Sequence, residues 1–520
     1  MKKLLSSLII SLLVLSGLTA LEVNEPELRV TGSETIEFIN YVGPHKVIDS
    51  LAAIKAIGSD MGKTIVPEKA SSVGNKNKYY VVHAVDANEK GKLDADILFI
   101  GPDATVDHIV NLRRIISAYL SSAYGYSEKD ADTLAVFVTV YNAVYRGKYD
   151  VYESKYKSAV MKNLSKDNCG LAVNYKDWPG KSEIVIPLYD INGGLSTVDT
   201  SVISDSNVVE SMKEDDDRNV ESRKDMVDLK EREAEQATEK AQSSQKKAAE
   251  EQKNLNETKK EAQTAQKKAD EAKKEAEKNP TEENKQKAET AQKQADEKKE
   301  EVKEQEKKTE AAKEEAKEQQ ALADKKQNEA QQERKEIAKD QQEVQEKEAA
   351  EAKMPSEYGI MLSDEKALLS RLVRFNTETG EIIKKSPVTQ IRNRTIYAIG
   401  DEFIAVAGED AGNAAIKLVT IDQVNMEITS ESNETLAPDS VLMQDGNDFY
   451  CVIADGNDWK VGKFDSNLVL KLKSDVNVKS STPITITDSG VVVTDSQGRL
   501  RLLNKADLKS ITKEQVADAK

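Results

Sequence analysis

The sequence predicts a multidomain α+β protein with three folded parts: an α+β N-terminal domain, a long antiparallel coiled-coil hairpin and an all-β C-terminal domain. The central part is almost wholly Ala, Glu, Lys and Gln, which favours long solvated helices. Mixed helical and strand periodicity precedes it, and a two-residue period with frequent turns follows it. The predicted boundaries are 1–20 for a signal peptide, then 21–205, 206–353 and 354–520.

The first twenty residues have the pattern of a cleavable secretory signal peptide. Lys2 and Lys3 make a positive start, 4–15 is apolar, and small residues precede a cleavage site after Ala20. We therefore expect export to the periplasm or cell envelope, with surface association or release as open alternatives. No later apolar run reaches the ~18 residues of a membrane span, so no transmembrane segment is expected after the signal.

Charge and cysteine content limit the expected partners and cross-links. The formal net charge of −17 argues against nucleic acid, because binding to phosphates requires a basic face. Cys169 and Cys451 are the only cysteines, too few for a disulfide framework. The sequence leaves open whether these two thiols pair with each other.

The N-terminal domain shows strand and helix patterns in alternation. A turn at 86–91 separates two strand-like runs, which predicts a β-hairpin. A polar, serine-rich linker is expected at 199–209. The predicted helices are 47–56, 109–120, 134–145 and 149–163, the predicted strands are 79–85, 95–100 and 183–188, and 35–40 is a short strand or helix start.

Two local patterns in this domain resemble ligand-binding loops but depart from them. Residues 58–64 resemble a phosphate loop, yet only three residues separate Gly58 from Gly62 where four are needed. A helix C-terminus ending in glycine is the simpler interpretation. Residues 86–97 resemble a calcium loop, but Lys90 occupies a ligand position and Ile97 replaces the bidentate Glu. A solvated hairpin turn is therefore expected there.

No catalytic, cofactor-binding or metal-binding residues are predicted. The three histidines, His45, His83 and His108, show no metal-ligand spacing, and no nucleophile motif occurs. The expected protein is therefore not an enzyme and uses no cofactor.

Several segments of this domain resemble a known family. Residues 111–120 (NLRRIISAYL), 140–147 (VYNAVYRG) and the run from 164 to 188, including Trp178, are similar to the N-terminal region of the large 83/100-kilodalton antigen family of spirochaetes. The family's plan of signal peptide, this domain, charged helical middle and β-rich end is also similar. The resemblance implies an immunodominant cell-envelope antigen with no established enzyme activity.

The central stretch carries two heptad patterns that are out of phase with each other. Before Pro280, small apolar residues recur at sevens from Ala234 to Ala276, and after it they recur from Ala288 to Val344. Proline ends one helix and suits the first turn of the next. A turn near 279–281 between arms of similar length predicts an antiparallel hairpin. An oligomeric coiled coil, and a single or disordered helix, are the alternatives.

The C-terminal domain shows a repeat of 40 to 46 residues. Related motifs begin at Leu372, Lys417, Lys460 and Leu500, and an Asn or Asp ends each motif, followed by a turn and another strand-like run. A period of this length is typical of propeller blades, which predicts a small or incomplete β-propeller. An open meander or sandwich is the second interpretation.

Three functions are compatible with these features. The leading hypothesis is a non-catalytic, exported cell-envelope antigen, in which a helical stalk joins two globular domains and the β-repeat domain binds an unidentified protein partner. The alternative is a surface adhesin that binds a host ligand, and the third is a hydrolase of unknown substrate. Self-association through the coiled coil is also an open prediction.

Overall fold

The computed structural model describes residues 36–66, 69, 71–74, 78–189, 197–212 and 217–511. The predicted signal peptide lies outside the described residues. The observed architecture is mixed: a helix-covered four-stranded sheet, two very long packed helices, and a series of antiparallel sheets.

The N-terminal part is built on an antiparallel sheet in the order β1-β2-β3-β4. The predicted hairpin is confirmed, because β2 and β3 pair antiparallel across the turn. Both central strands are almost fully buried, which explains why they read as apolar runs. The strands are β1 Ser72–Val73, β2 Tyr79–Ala84, β3 Asp94–Ile100 and β4 Ser182–Leu188.

Helices pack against this sheet and against one another. The predicted helix at 149–163 is wrong as a single element. The chain is extended at Tyr156, and Lys157 donates its backbone N–H to Leu93 O, so the helix is interrupted. The helices are α1 Leu51–Thr64, α2 Ile109–Tyr124, α3 Glu128–Val144, α4 Tyr149–Lys155 and α5 Ser158–Met161.

The predicted linker at 199–209 is also wrong. It forms two short helices, α6 Thr200–Ile203 and α7 Ser206–Ser211. Asp199 and Asp205 accept hydrogen bonds from backbone N–H groups at the starts of these helices. Ile203 and Val208 are fully buried in the N-terminal core. These two apolar residues therefore anchor a segment whose other residues are mostly polar.

Two long helices pack against each other as an antiparallel hairpin. They are α8 Asp217–Lys278 and α9 Glu282–Glu351, of 62 and 70 residues. Contacts between them run in opposite directions along the chain: Lys247 bonds Glu315 at 2.9 Å, whereas Lys259 bonds Glu306 at 2.7 Å. At about 1.5 Å per residue, the arms are about 93 and 105 Å long.

The seam consists of the residues predicted from the heptads. Those buried on α8 are Ala234, Ala241, Ala248, Leu255, Ala262 and Ala269, and those on α9 are Ala295, Thr309, Ala316, Ala323, Ala330 and Ile337. Each buried methyl contributes only about 0.8 kcal/mol, so the seam is weak per layer. Valine and isoleucine occur towards the base of the hairpin, where Val220, Val227 and Ile337 form one cluster.

The turn of the hairpin lies where the proline predicted it, with one difference. Thr281, not the proline, is adjacent to the first helical residue, and its hydroxyl accepts the N–H of Asn284 at 3.3 Å. Pro280 therefore precedes the cap instead of occupying the first turn. Glu282 and Glu283 lie in the first turn, at the positive end of the helix dipole.

The β-rich part begins immediately after the hairpin and forms successive antiparallel sheets. The first seven strands pair in the order β11-β10-β9-β8-β6-β5 with β7 on β6, followed by sheets β12-β13-β14-β15 and β16-β17-β18. Its strands are β5 Ser356–Asp364, β6 Leu369–Asn376, β7 Ile382–Lys385, β8 Ile391–Ile399, β9 Glu402–Gly408, β10 Ile416–Asp422, β11 Ile428–Glu431, β12 Met443–Asp445, β13 Asp448–Asp455, β14 Asp458–Phe464, β15 Leu470–Lys473, β16 Thr485–Thr487, β17 Gly490–Thr494 and β18 Leu500–Leu503.

The sequence repeat marks the same strand and turn in each unit. The four motifs are β6, β10, β14 and β18, and the side chain ending each one accepts backbone N–H groups from the turn that follows. These side chains are Asn376, Asp422, Asp465 and Asn504. Such a side chain closes the turn by itself, which explains why only Asn and Asp occupy the position.

Buried serine hydroxyls form a second pattern of hydrogen bonds that is repeated within the units. Ser432 donates its N–H to Leu418 O and accepts the N–H of Leu418, and Ser474 repeats both bonds with Val461. Both serines are almost fully buried. Burying a hydroxyl is unfavourable unless it is hydrogen-bonded, and here each one ties the residue that follows β11 or β15 to the neighbouring motif strand, β10 or β14.

Neighbouring sheets pack face to face. Alternate residues of β13 face opposite neighbours: Cys451 packs in a cluster with Ile404, whereas Val452 packs in a cluster with Val491. The sheets are not closed into a ring among the described residues, so closure as a propeller stays a prediction.

Gly58 allows α1 and α2 to pack closely and gives a first testable prediction. A Cβ at this position would lie 2.0 Å from Ile115 O, so we expect Gly58→Ala to destabilise the N-terminal part by about 1–3 kcal/mol. The measurement is urea unfolding followed by fluorescence of buried Trp178 in a Trp459→Phe background. In the same helix, exposed Ala56→Ser is the control and should change stability by less than about 0.5 kcal/mol. Equal effects from both substitutions would contradict the close approach.

Candidate functional site

The glycines that resemble a phosphate loop lie inside a helix. Gly58 and Gly62 are buried in α1, which continues to Thr64, so the predicted helix end at these glycines is wrong. Their missing side chains admit the backbone of α2, since a Cβ on Gly62 would contact Ser122 and Ala123. Their role is therefore helix packing.

The loop that resembles a calcium site contains a lysine ammonium instead. Lys157, fully buried, donates from Nζ to Asp86 O at 2.7 Å and to Asp94 Oδ2 at 2.9 Å. The other oxygen of Asp94 accepts the N–H of Asp86 at 2.9 Å. The ammonium group of Lys157 thus supplies the positive charge that balances the Asp94 carboxylate. The spacing of residues within the loop did not predict this contact, because Lys157 is 63 residues from Asp94.

One of the three histidines, His83, joins a buried polar network. His83 Nδ1 lies 2.5 Å from Asp96 Oδ1, between paired positions on β2 and β3. The hydroxyls of Tyr119 and Tyr124 donate to the other oxygen of Asp96. Burial and the neighbouring carboxylate raise the pKa of both tyrosines. His83 and Asp96 are fully buried, so this cluster joins α2 to the sheet and does not face a substrate.

The described residues contain no group of three or more His, Cys, Asp or Glu side chains placed to hold a metal ion. Within the same residues, no helix is both long enough and apolar enough to cross a membrane.

Both cysteines are buried free thiols in different cores, so the alternative in which they pair is wrong. Burial raises the pKa of Cys451, which makes it an inert core residue.

The structure brings the N-terminal and β-rich parts together at a polar junction, which we define as residues 41–46, Asp107, Lys176 and the loop 409–415. Lys46 donates its N–H to Asn413 O at 2.7 Å, and Ala415 donates to Pro44 O at 2.9 Å. Sequence analysis did not identify this junction, because short loops far apart in the chain form it.

His45 is the titratable centre of the polar junction. Its Nε2 lies 2.9 Å from Asp107 Oδ2, and its ring is nearly perpendicular to the Tyr41 ring, with the centroids 4.9 Å apart. The hydrogen bond to Asp107 raises the pKa of His45, although partial burial opposes this. Two charges of the β-rich part also act on it: Glu431 favours the protonated ring and Lys417 disfavours it.

The base of the hairpin is fixed to the N-terminal part. Met226 and Leu229 of α8 are buried in the N-terminal core. Thr200 Oγ1 donates to Glu233 at 2.8 Å, and Ser201 Oγ donates to Glu329 at 3.1 Å, so both arms are held by α6. The two helices therefore leave the N-terminal part as one unit.

Ion pairs between the arms are concentrated at this base. Arg334 of α9 pairs with both Asp228 and Glu231, and Lys230 pairs with Glu333. Lys230 is 4% exposed, whereas Lys247 and Glu315 farther along have 60% and 46% exposed side chains. Solvated pairs contribute only about 0–1 kcal/mol, so the outer hairpin depends on helix propensity and the alanine seam.

An open groove of about 1640 Å³ follows the outer hairpin, between residues 252 and 313. Its lining is mainly Glu, Lys and Gln on the two arms, with Leu255 and Thr309 at its floor. Such a groove is the solvated space beside a narrow seam, and its alternating charges select no ligand.

Comparison with protein families identifies the chain. The model of the family described as Borrelia P83/100 protein matches residues 25–484, most of the sequence. The chain belongs to the Borrelia P83/100 family. The resemblance seen in the N-terminal segments is therefore confirmed, and the family match extends through the hairpin into the β-rich part.

Other comparisons add little to this assignment. None of the curated proteins compared with the chain matches it. A computationally designed protein, Ika8, is 11% identical with a TM-score of 0.22, over 30% of this chain and 48% of that one. A structure from a study of two prolyl endopeptidases is 12% identical with a TM-score of 0.19, over 31% and 27%. The chain spans less than half of either structure, and such low scores support no argument about fold or activity.

Removing the buried lysine gives a second prediction. Lys157→Met would leave Asp94 buried without its ammonium partner, so we expect a loss of about 3–5 kcal/mol in unfolding free energy. Lys181→Met is the matched control, because its pair with Asp177 is exposed and is worth about 0–1 kcal/mol. Urea unfolding of the N-terminal part measures both variants. If a divalent cation occupied the loop, chelator would destabilise the wild type; no such effect is expected.

The polar junction gives a third prediction, on pH. Because Asp107 raises the pKa of His45, we expect Asp107→Asn to lower that pKa in an NMR titration. The contribution of protonated His45 to the unfolding free energy is fully present below about pH 6.5. It disappears as pH rises through the higher pKa of His45 in the folded state. The Asp107→Asn variant should therefore lose more stability at about pH 5.5 than at about pH 8.5.

The titration has an internal control. The chain has three histidines, and a His45→Gln variant identifies the His45 signal by its absence. Burial lowers the pKa of His108, so its titration should stay below that of His45. A His45 pKa that does not respond to Asp107→Asn would contradict the assignment.

Proposed function

We propose that this Borrelia P83/100 family member is a non-catalytic, exported cell-envelope antigen. In this proposal α8 and α9 form a stalk that projects from two joined globular parts, and the β-rich part binds a protein partner. The observation that carries it is the hairpin itself, whose two arms begin and end at one base. The family assignment supports the antigen and envelope role.

The stalk is supported by the distribution of anchoring contacts. At the base, apolar residues enter the N-terminal core and ion pairs are partly buried. Along the outer arms, alanines alone fill most of the seam and the charged residues face water. A helix pair with such a surface has no broad apolar face for burial against the rest of the chain, so it extends into solvent.

The β-rich part is the proposed partner-binding module because it consists of repeated units joined by exposed turns. Each unit keeps its core and its Asx turn, while the loops between units vary in length and sequence. Binding residues in proteins are concentrated on such loops, which a rigid scaffold positions. A small or incomplete propeller is the arrangement that we propose for these units.

Small-angle X-ray scattering of the mature chain tests the stalk, and we expect an elongated particle. The matched variant lacks residues 262–275 and 287–300, two heptads from each arm that face each other near the tip. This deletion should shorten the maximum dimension by about 21 Å and leave the folded ends unchanged. A compact wild-type particle, or an unchanged dimension in the variant, would refute the stalk.

Fractionation of cells tests export independently of shape. We expect the chain in the envelope fraction, beginning at Leu21 after removal of the signal. Recovery in the cytoplasm with Met1 retained would contradict export. Protease treatment of intact cells then distinguishes the two locations: digestion indicates surface exposure, as an adhesin requires, and protection indicates the periplasm.

A further inference from the structure

In the part of the chain that the structure describes, the first strand of the β-rich part has a free edge. β5 is nine residues long, and β6 is its only paired strand in the described part of the chain. β5 forms one end of the seven-stranded sheet. A strand at this position presents unpaired N–H and C=O groups along its outer side.

Comparison of the repeated units shows what belongs beside β5. In the later units the motif strand is the third, preceded by two strands: β8 and β9, β12 and β13, or β16 and β17. The first motif strand, β6, is preceded by β5 alone, because α9 ends at Glu351 and β5 begins at Ser356. Within the described residues the first unit therefore lacks one strand, and its place is the free edge of β5.

The missing strand has a defined orientation and chemistry. In the other units the first strand pairs antiparallel with the second. It also supplies apolar side chains, such as Ile396, Met443 and Ile486, which pack against the cores. An occupant of the vacant place should therefore be an antiparallel strand with alternating apolar residues.

The edge of β5 lacks two of the features that most often prevent strand pairing, lysine and proline. Met361 and Leu362 of this strand are 38% and 51% exposed. Its register with β6 is regular until the irregularity after Leu362. Its two charged residues, Glu357 and Asp364, lie near opposite ends.

We propose that the occupant is β5 of a second copy of this chain. A two-fold axis through Ile360 makes the two strands antiparallel, as the vacant place requires. Glu357 then lies opposite Ser363, and Asp364 opposite Ser356, so no like charges face each other. Tyr358 lies opposite Leu362, which gives an aromatic–aliphatic pair at each end of the contact.

The β5 edge is a different surface from the hairpin, and its self-association is separate from the binding of a protein partner proposed above. Each copy supplies the strand that the other lacks, so two seven-stranded sheets become one continuous sheet. Because β5 follows directly from α9, the two hairpins would leave from the vicinity of the same two-fold contact.

Sedimentation velocity of the mature chain over a range of concentrations tests the proposal. We expect a monomer–dimer equilibrium whose dissociation constant rises about tenfold or more in Leu362→Lys, because an edge lysine opposes strand pairing. Leu500→Lys is the control, since Leu500 is 71% exposed on β18 and should leave the equilibrium unchanged. Circular dichroism should show that both variants are folded.

A cross-link tests the register. In Glu357→Cys/Ser363→Cys the introduced thiols are six residues apart along an extended strand, too far to pair within one chain. Mild oxidation should therefore link two chains, whereas Val424→Cys, 76% exposed elsewhere, should not form a comparable dimer. A monomer at every concentration, a dimer insensitive to Leu362→Lys, or binding of a foreign strand without self-association would overturn the proposal.

Discussion

The antiparallel packing of α8 on α9 is the constraint on which the rest of the structure depends. Because the chain leaves and returns at one base, 130-odd helical residues separate the N-terminal and β-rich parts in sequence but not in space. The polar junction can form only under this condition. Pro44 and Lys46 hydrogen-bond to the loop near residue 414 because the hairpin returns the chain to the base from which it left. A straight helix would leave both surfaces without a partner.

The hairpin is strong at its base and weak along its length, and the sequence shows why. Val220, Val227 and Ile337 occur where the helices meet the N-terminal part, whereas alanine fills the outer seam. Alanine permits close approach and has the highest helix propensity, but it buries little area. The arms can therefore persist as solvated helices while their direction is fixed at the base.

Polar residues that first suggest chemistry act here as structural elements. Lys157 neutralises a loop that resembles a cation site, and Asp96 receives two tyrosine hydroxyls and faces a histidine inside the core. Asp94, the partner of Lys157, and Asp96 are both buried, and each carboxylate is hydrogen-bonded, as burial requires. In the β-rich part, buried serines repeat the same principle by tying one strand to the next.

By itself the sequence determined the local features: the heptad seam, the turn near Pro280, the β-hairpin around 86–91 and the four repeated strands. These depend on periodicity and on turn residues, which act over a few positions. Tertiary structure decided the rest. Gly58 and Gly62 became packing residues because of α2, residues 199–209 became helices because of a distant core, and Lys157 and His45 acquired partners 63 and 62 residues away. Such contacts depend on how elements meet in space, which periodicity does not encode.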